Sequence, residues 1–276
     1  MLCSLAACGG DEKKETTKAP ETKATGTEET GTKAPEADTE TAGTEAAETK
    51  ADGNSGKLIM ATEAGFAPYE YTEDGETVIG VDVDIANEIA KAMGRELEIQ
   101  NMSFDSALLA VQQGKADFAA AGISIRPDRQ EKMDFSIEYA TSRQVVVVNK
   151  GSKRVDSVDA LTADTVVGVQ TGTVGDLYCQ DDLGTKELKQ YGKFMEAAMD
   201  LKNDRIDCII MDLLPAEEMV KVNDDLEILE GEVLNDKYAI AVQKGNTEML
   251  DQINQVLQKL VDEGKIEEFT INHTTK

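Results

Sequence analysis

Residues 116–136, with the sequence ADFAAAGISIRPDRQEKMDFS, form the segment around which the rest of the chain is organised. It contains a run of small residues that ends at Gly122, and it then turns through polar residues to Arg129. Small side chains let another group approach the backbone closely, and the planar guanidinium of an arginine matches the two oxygens of a carboxylate. Because the Gly122 carbonyl, the Ser124 hydroxyl and Arg129 are near neighbours in sequence, the stretch suits an amino-acid head group. The alternative is a strand that ends in a turn, with Arg129 as a solvated charge.

Composition excludes several classes of protein. The chain has 276 residues, enough for two domains, and 40% of them are apolar. A net charge of -26 and an aromatic content of 4% without Trp argue against a nucleic-acid partner. His273 is the single histidine, which leaves almost nothing for a His-based triad or a His-rich metal site. We predict no cofactor, no metal and no catalytic residue.

Four cysteines fall into two pairs. Cys3 and Cys8 lie in an N-terminal stub, and we assign them to processing. Cys179 and Cys208 could pair in an oxidising compartment, or each could be a buried thiol. We favour free thiols because small apolar cysteines often simply pack.

The first eight residues, MLCSLAAC, resemble the end of a bacterial lipoprotein signal, with LAAC as the lipobox. The resemblance implies cleavage before Cys8 and a lipid on its sulfur, so that residues 1–7 are a signal remnant. A signal peptide needs a positive region and about 7–15 apolar residues, and neither fits before Cys8. We therefore expect a start further upstream, with a chance match as the alternative.

Residues 9–56 contain no side chain more hydrophobic than Ala. Such a segment buries too little apolar area to offset the entropy that ordering costs, so we predict disorder. We therefore predict that residues 8–56 form a lipid-anchored flexible linker to a folded module.

From Lys57 onward, strands and helices alternate. The sequence predicts strands at 57–62, 78–83, 96–100 and 144–148, and helices at 85–93 and 104–113. We expect Asp82 or Asp84 to cap the first helix and Gly94 to end it. This βαβαβ order predicts a mostly parallel sheet covered by helices.

A second, similar unit follows. It is predicted to contain a turn or short helix at 158–161, strands at 165–169, 205–211 and 238–243, a Gly-rich turn at 170–175 that leads into a helix, and helices at 194–202 and 247–261. Two α/β units predict two lobes with a cleft between them, and ligands of open α/β sheets bind at the carboxyl ends of the strands.

Five motifs carry a family resemblance. They are ATEAGFAPYEY (61–71), GVDVDIANEIAKAMG (80–94), FDSALLAVQQGKADFAAAGISIRPDRQEKMDFS (104–136), VGVQTGT (167–173) and IDCIIMD (206–212). Together they resemble the polar amino-acid-binding proteins of ABC importers, solute-binding protein family 3, over residues 57 to about 270. The resemblance implies the two-lobed α/β type II periplasmic-binding-protein fold. Each lobe would be a mostly parallel sheet flanked by helices, with lobe 1 at 57–140 and 239–276, lobe 2 at 141–238, and two hinge crossovers near 139–143 and 236–240.

The resemblance also implies how the ligand head group is held. Arg129 should grip the α-carboxylate, assisted by Ser124 and by the backbone amides of Ser124, Thr173 and Val174. Asp212 should pair with the α-ammonium, assisted by the Gly122 carbonyl. Charges that leave water must be paired, and Arg129 and Asp212 would become paired only through the ligand. Val174 stands where relatives have Thr or Gly, so no side-chain hydroxyl is available there.

Four further positions match the side-chain pocket of the family. Phe66 and Phe104 should form aromatic walls, with core packing as the alternative. Glu63 and Gln170 should select the ligand side chain. Glu63 would favour a cationic or amide group, although it could equally be a surface acid. For Arg126 we expect a position in solvent, with the cleft mouth as the alternative.

The resemblance implies a lipoprotein on the outer face of the bacterial cell membrane. It would be a monomer that binds a polar amino acid, with a cationic or amide side chain favoured, and delivers it to an ABC permease without catalysis. One alternative is a dehydratase-type enzyme of the same fold, for which Glu63 is the cleft carboxylate we can name. The other is a ligand-sensing module. The sequence leaves the particular amino acid and the permease open.

Overall fold

The structure, a computed structural model, describes residues 56–274. The predicted signal remnant, Cys8 and the linker up to residue 55 lie outside the described residues. The strands are β1 (Lys57–Thr62), β2 (Tyr71–Thr72), β3 (Val78–Ile79), β4 (Glu96–Asn101), β5 (Phe118–Ala119), β6 (Met133–Phe135), β7 (Ala140–Asn149), β8 (Val166–Gln170), β9 (Glu187–Tyr191), β10 (Cys208–Asp212), β11 (Leu226–Ile228), β12 (Leu234–Tyr238) and β13 (Ala241–Gln243).

Helices connect and cover these strands. They are α1 (Val81–Met93), α2 (Phe104–Gln112), α3 (Pro127–Gln130), α4 (Val174–Leu177), α5 (Phe194–Lys202), α6 (Leu213–Lys221), α7 (Thr247–Asp262) and α8 (Lys265–Thr274). A 3-10 turn at Val158–Ala160 and a π-helical turn at Tyr178–Asp182 complete the set. The α/β class predicted from the alternating pattern is confirmed.

Two main sheets form the centres of two lobes. The first has the order β4-β1-β5-β13-β6, and the second has the order β11-β7-β10-β8-β9 with β12 also paired to β7. In the first sheet β1 runs parallel to β4 and β5, whereas β13 runs antiparallel to β5 and β6. In the second sheet β8 runs parallel to β9 and β10, whereas β7 runs antiparallel to β10, β11 and β12.

Both sheets are therefore mixed, but only one strand in each, β13 in the first and β7 in the second, runs against the others, so the prediction of mostly parallel sheets is confirmed. The two exceptions have a topological reason. The βα units place their strands in parallel, but the chain enters the second sheet along β7 and returns to the first along β13, and both of these strands run against their neighbours.

The two crossovers lie side by side. The chain passes from β6 to β7, and later from β12 to β13, with Ala140 opposite Tyr238 where β7 pairs with β12. The Tyr139 amide donates to the Tyr238 carbonyl at 3.0 Å, and the Ser136 amide donates to the Ile240 carbonyl at 2.9 Å. Two adjacent extended segments that join two lobes have the form of a hinge.

Helix α7 packs on α1 beside the first sheet. Its buried residues Ile253, Leu257 and Leu260 recur at helical spacing and share one apolar cluster with Ile85 and Ile89 of α1. Burying such a stripe is the main source of stability for an amphipathic helix.

The start of α1 differs from the prediction. The strand predicted over 78–83 ends at Ile79, and the helix begins at Val81 with Gly80 as its N-cap. Gly94 ends the helix in the left-handed conformation, as expected.

Neither acid proposed as the cap of α1 performs that role. Asp82 is buried and accepts hydrogen bonds from the Gly122 amide at 3.1 Å and the Tyr139 hydroxyl at 2.7 Å. Asp84 lies 2.9 Å from His273 Nε2 of α8. Both carboxylates serve tertiary contacts, which a local capping rule does not detect.

Cys179 and Cys208 are free and buried, as favoured, within one apolar cluster of the second lobe. Burial raises the pKa of the Cys179 thiol to about 12 and that of Cys208 further still. No helix within residues 56–274 combines the length and apolar character that crossing a bilayer requires.

Candidate functional site

A narrow cavity lies between the two lobes. It is built by the loop after β1, the first turn of α2, the turn after β5, the turn that leads into α4, and the end of β10. Nine of the ten predicted ligand-binding residues line it; the full lining is Glu63, Phe66, Glu70, Phe104, Ala121, Gly122, Ser124, Gln170, Thr173, Val174 and Asp212. The volume open to the centre of a water molecule is about 10 Å³, so a molecule of amino-acid size requires the lobes to move apart.

Arg129, the tenth predicted residue, is buried behind this lining. Its Nη1 donates to the Ser124 carbonyl at 2.8 Å, and its Nη2 donates to the Gly172 carbonyl of the second lobe at 2.8 Å. Its Cζ lies 5.3 Å from the ring centre of Phe104. Burial, followed by the charge of Arg126, lowers the pKa of Arg129 to about 10, so the guanidinium stays charged at neutral pH.

Asp212 provides the opposite charge at the end of β10. It accepts hydrogen bonds from the Ser142 hydroxyl at 2.8 Å and from the Tyr238 hydroxyl. Burial raises the pKa of Asp212 to about 6. No direct ion pair joins Arg129 to Asp212 within the part of the chain that the structure describes, so the cavity holds a cation and an anion apart.

Phe66 and Phe104 both line the cavity, and each is 6% exposed. The Phe66 ring stacks on Phe194 of α5 at 6.1 Å. A Cβ atom built on Gly122 would lie 2.7 Å from the Phe66 ring, and Gly122 has a φ of 53°. Glycine is therefore required where the turn after β5 meets this aromatic wall.

Glu63 is buried in the cavity wall, not on the surface. Its Oε2 accepts a hydrogen bond from Gln170 Nε2 at 3.0 Å, and its Oε1 lies 3.7 Å from Lys193 Nζ. Burial raises the pKa of Glu63. The structure thus brings Glu63 and Gln170 together across the cleft, and it adds a second-lobe cation that the sequence reasoning did not name.

The turn that leads into α4 is internally bonded. The Thr173 hydroxyl donates to the Gln170 carbonyl at 2.8 Å and accepts from the Asp176 amide at 3.3 Å, while the Thr173 amide donates to Gln170 at 3.3 Å. The amide that the resemblance assigns to the ligand therefore already has an internal partner in this conformation. On the opposite side, the Ser124 hydroxyl donates to Asp236.

The prediction that Arg126 lies in solvent is wrong. Its side chain is 14% exposed, and its Nη1 donates to the Gly172 carbonyl of the second lobe at 3.1 Å. Sequence alone gives no signal for this contact because the partner is a backbone oxygen 46 positions away.

Glu70 is a cavity residue that the sequence reasoning missed. It is 1% exposed and lies beside Asp82, with Tyr69 and Tyr139 nearby. Burial, followed by the negative charge of Asp82, raises the pKa of Glu70 well above its usual value. Burial also raises the pKa of Asp82, although hydrogen bonds from Tyr139 and Glu70 act in the opposite direction. Burial and the nearby charge of Asp82 thus both favour the protonated form of Glu70.

No cluster of three or more His, Cys, Asp or Glu side chains within residues 56–274 has the arrangement of a metal site. The residues in and directly behind the cavity lining offer one guanidinium, two aromatic rings and three carboxylates, a set suited to binding a charged small molecule: Arg129, Phe66, Phe104, Glu63, Glu70 and Asp212. Two α/β lobes that hold such a set between them define a two-lobed small-molecule-binding protein. The chain belongs to the bacterial extracellular solute-binding proteins, family 3, whose family model matches residues 58–274.

Known relatives agree with this assignment. The chain is 33% identical over 223 residues to the arginine-binding extracellular protein ArtP of Bacillus subtilis, covering 77% of this chain and 84% of ArtP. It is 33% identical over 231 residues to a probable histidine-binding protein of Neisseria gonorrhoeae, covering 81% and 85% of the two chains.

Solved structures confirm the type II fold. The amino-acid ABC transporter substrate-binding protein AbpA of Streptococcus pneumoniae, bound to L-arginine, matches with a TM-score of 0.75 and 33% identity, over 80% of this chain and 95% of that one. ArtJ of Geobacillus stearothermophilus, an arginine-, lysine- and histidine-binding protein, matches with a TM-score of 0.73 and 30% identity, over 80% and 96%. The family consists of solute-binding proteins, so the dehydratase alternative is set aside.

Proposed function

We propose that this protein binds a polar amino acid with a cationic or amide side chain in the cleft between its lobes and delivers it to an ABC importer permease. One observation carries the proposal: Asp212 lines the cavity between the lobes, the buried Arg129 contacts Ser124 and Phe104 of the same lining, and no direct ion pair joins the two charges. An amino acid offers both a carboxylate and an ammonium, so it can satisfy each charge at once.

In this proposal, Arg129 and Ser124 hold the carboxylate, with the amides of Thr173 and Val174. Asp212 and the Gly122 carbonyl hold the ammonium. Phe66 and Phe104 flank the ligand side chain, and Glu63 and Gln170 select it. A buried carboxylate such as Glu63 favours a side chain that brings N–H donors, and a positive one most of all. The names of the relatives include arginine- and histidine-binding proteins, which support a cationic ligand, and also a cystine-binding protein, whose ligand falls outside this range.

We further propose the domain arrangement and the location. Lobe 1 comprises residues 57–140 and 239–276, lobe 2 comprises residues 141–238, and the crossovers act as the hinge. A lipid on Cys8 anchors the monomer to the outer face of the cell membrane, and the linker keeps the lobes near the permease. A tether of this kind raises the local concentration of the binding module at its partner.

Thermal unfolding of the 276-residue chain with each of the twenty amino acids and cystine tests the ligand assignment. A ligand that binds only the folded state raises the unfolding midpoint. We expect the largest rises with L-arginine, L-lysine, L-histidine or L-glutamine.

Arg129→Ala should abolish these rises. Arg154→Ala should not, because Arg154 is an exposed arginine paired with Asp207 at 2.8 Å and lies outside the cavity and the crossovers. If no amino acid raised the midpoint of the unsubstituted chain, the amino-acid proposal would be wrong.

A further inference from the structure

Two guanidinium groups of the first lobe converge on one carbonyl of the second. Arg129 Nη2 donates to the Gly172 oxygen at 2.8 Å, and Arg126 Nη1 donates to the same oxygen at 3.1 Å. A carbonyl oxygen has two lone pairs and can accept both donors. Arg129 faces the cavity lining, whereas Arg126 lies outside it. The two side chains can therefore have different roles.

Arg126 is oriented for this contact by its own neighbour. Its Nε and Nη2 donate to the two carboxylate oxygens of Asp128 at 2.9 and 2.8 Å. This paired geometry fixes the plane of the guanidinium, and Nη1 is then directed at Gly172. Asp128 also pairs with the charge of Arg126, and Arg126 does not line the cavity.

The Gly172 carbonyl, which accepts the hydrogen bond from Arg126, is also held in place by its neighbours. The Gly172 amide donates to Asp176 Oδ2 at 2.8 Å, and Gly172 adopts a φ of 81° that side chains rarely allow. Asp176 is itself buried and accepts from Gln180 Nε2 at 2.7 Å. The carbonyl therefore projects from a braced turn towards the first lobe.

From this geometry we propose that Arg126 is a latch residue: it holds the cleft closed through the Gly172 carbonyl and so slows release of the bound ligand. The contact joins two lobes and can exist only when they are close together. Opening of the hinge breaks it, and Arg126 then keeps Asp128 as a partner. The latch thus adds to the stability of the closed state, and Arg126 does not itself contact the ligand. This inference rests on the proposed function.

The test measures binding of L-arginine to the 276-residue chain by calorimetry and by surface plasmon resonance. Loss of one hydrogen bond from a charged donor corresponds to about a tenfold change in an equilibrium constant. We expect Arg126→Gln to raise the Kd about tenfold through faster dissociation, with the association rate changed less than about twofold. Arg154→Gln, which removes the same charge from an exposed arginine paired with Asp207 at 2.8 Å, should leave both rates unchanged.

A double variant separates the latch from local charge. Arg126→Gln with Asp128→Asn leaves the net charge of this corner unchanged, and it should release L-arginine as fast as Arg126→Gln alone. If the double variant released L-arginine at the rate of the unsubstituted chain, the effect would come from Asp128 and the latch would be refuted. Unchanged dissociation in Arg126→Gln would refute it too. Absence of binding by the unsubstituted chain would instead refute the proposed function.

Discussion

Glu63 differs from the other cavity carboxylates because a cation already lies near it. Lys193 Nζ stands 3.7 Å away, on a side chain that is about half exposed. A positive ligand side chain must share Glu63 with this lysine or displace it. Glu63→Gln should therefore weaken L-arginine binding by about tenfold or more, since it removes a buried charge partner, and should change L-glutamine binding much less.

The Lys193→Ala substitution should have the opposite effect on L-arginine binding. It leaves Glu63 without its competing cation, so the affinity for L-arginine should rise a few-fold relative to L-glutamine, as expected for a half-exposed ion pair. Calorimetric titration of both ligands measures the ratio. Lys186→Ala, which breaks an exposed pair with Asp164 elsewhere in the second lobe, is the matched control. An unchanged ratio in Lys193→Ala would show that Lys193 does not compete.

Glu70 predicts a pH dependence of stability. Its folded-state pKa is raised by burial and by Asp82, so the folded protein holds a proton that the unfolded chain releases above about pH 4.5. The stabilisation is complete below that pH and is lost as pH rises through the raised pKa of Glu70. Glu70→Gln keeps a donor for Asp82 but cannot ionise. Its unfolding free energy relative to the unsubstituted chain should therefore increase with pH, by up to about 1.4 kcal/mol per pH unit.

Chemical denaturation between pH 4 and pH 8 gives this difference directly. Glu131→Gln removes the same charge from an exposed side chain and should show no such trend. A difference between Glu70→Gln and the unsubstituted chain that did not vary with pH would rule out a proton on Glu70.

At the scale of elements, the turn after β5 depends on one glycine. Gly122 has a φ of 53°, and an added methyl group would lie 2.7 Å from the Phe66 ring. Gly151 has a similar φ of 71°, but nothing lies within 4 Å of an added methyl group. Gly122→Ala should cost backbone strain and also a clash, about 2–4 kcal/mol of unfolding free energy in total.

Gly151→Ala measures the strain alone and should cost about 1 kcal/mol. Denaturant unfolding of both variants gives the comparison. Equal losses would mean that the Phe66 wall moves away without cost, and that Gly122 is required only for its backbone conformation.

The sequence predicted most elements because their signals are local. Strand β1 and helix α5 have the predicted bounds, and α7 ends one residue later than predicted. Helix α6 was missed because Pro215 in its first turn looks like a helix breaker, although proline is tolerated there. Strand β9 was missed because Glu, Lys and Gln dominate it, and polar edge strands carry little periodicity.

Residues of the candidate site could be predicted from the sequence only where a family motif assigned them a role. The motif placed Glu63 and Gln170 at selecting positions, and the structure brings them within hydrogen-bonding distance. Glu70 and Arg126 stand inside two of the motifs without an assigned role, and Lys193 lies outside all five. Each of the three acts through partners from distant segments. Side chains that matter through tertiary contacts are the ones that local rules cannot assign.

In the whole molecule, we expect ligand binding to be coupled to the motion of the two lobes. The cleft is bridged by Glu63 to Gln170 and by Arg126 and Arg129 to Gly172, and its cavity is too narrow to admit an amino acid. Access therefore requires opening about the crossovers, and capture requires closing. A ligand shifts this equilibrium only if it binds the closed form more tightly.

A bipolar ligand meets that condition because its two charged ends face residues from different lobes. Arg129 belongs to the first lobe and Asp212 to β10 of the second. L-arginine should therefore reduce the radius of gyration of the chain in small-angle scattering. Agmatine retains the guanidinium and an amine but lacks the carboxylate, so it cannot engage Arg129 while it reaches Asp212. It should leave the radius of gyration unchanged at concentrations where L-arginine closes the cleft. Equal compaction by both compounds would mean that the side-chain end of the ligand, held by Glu63, is sufficient to draw the lobes together.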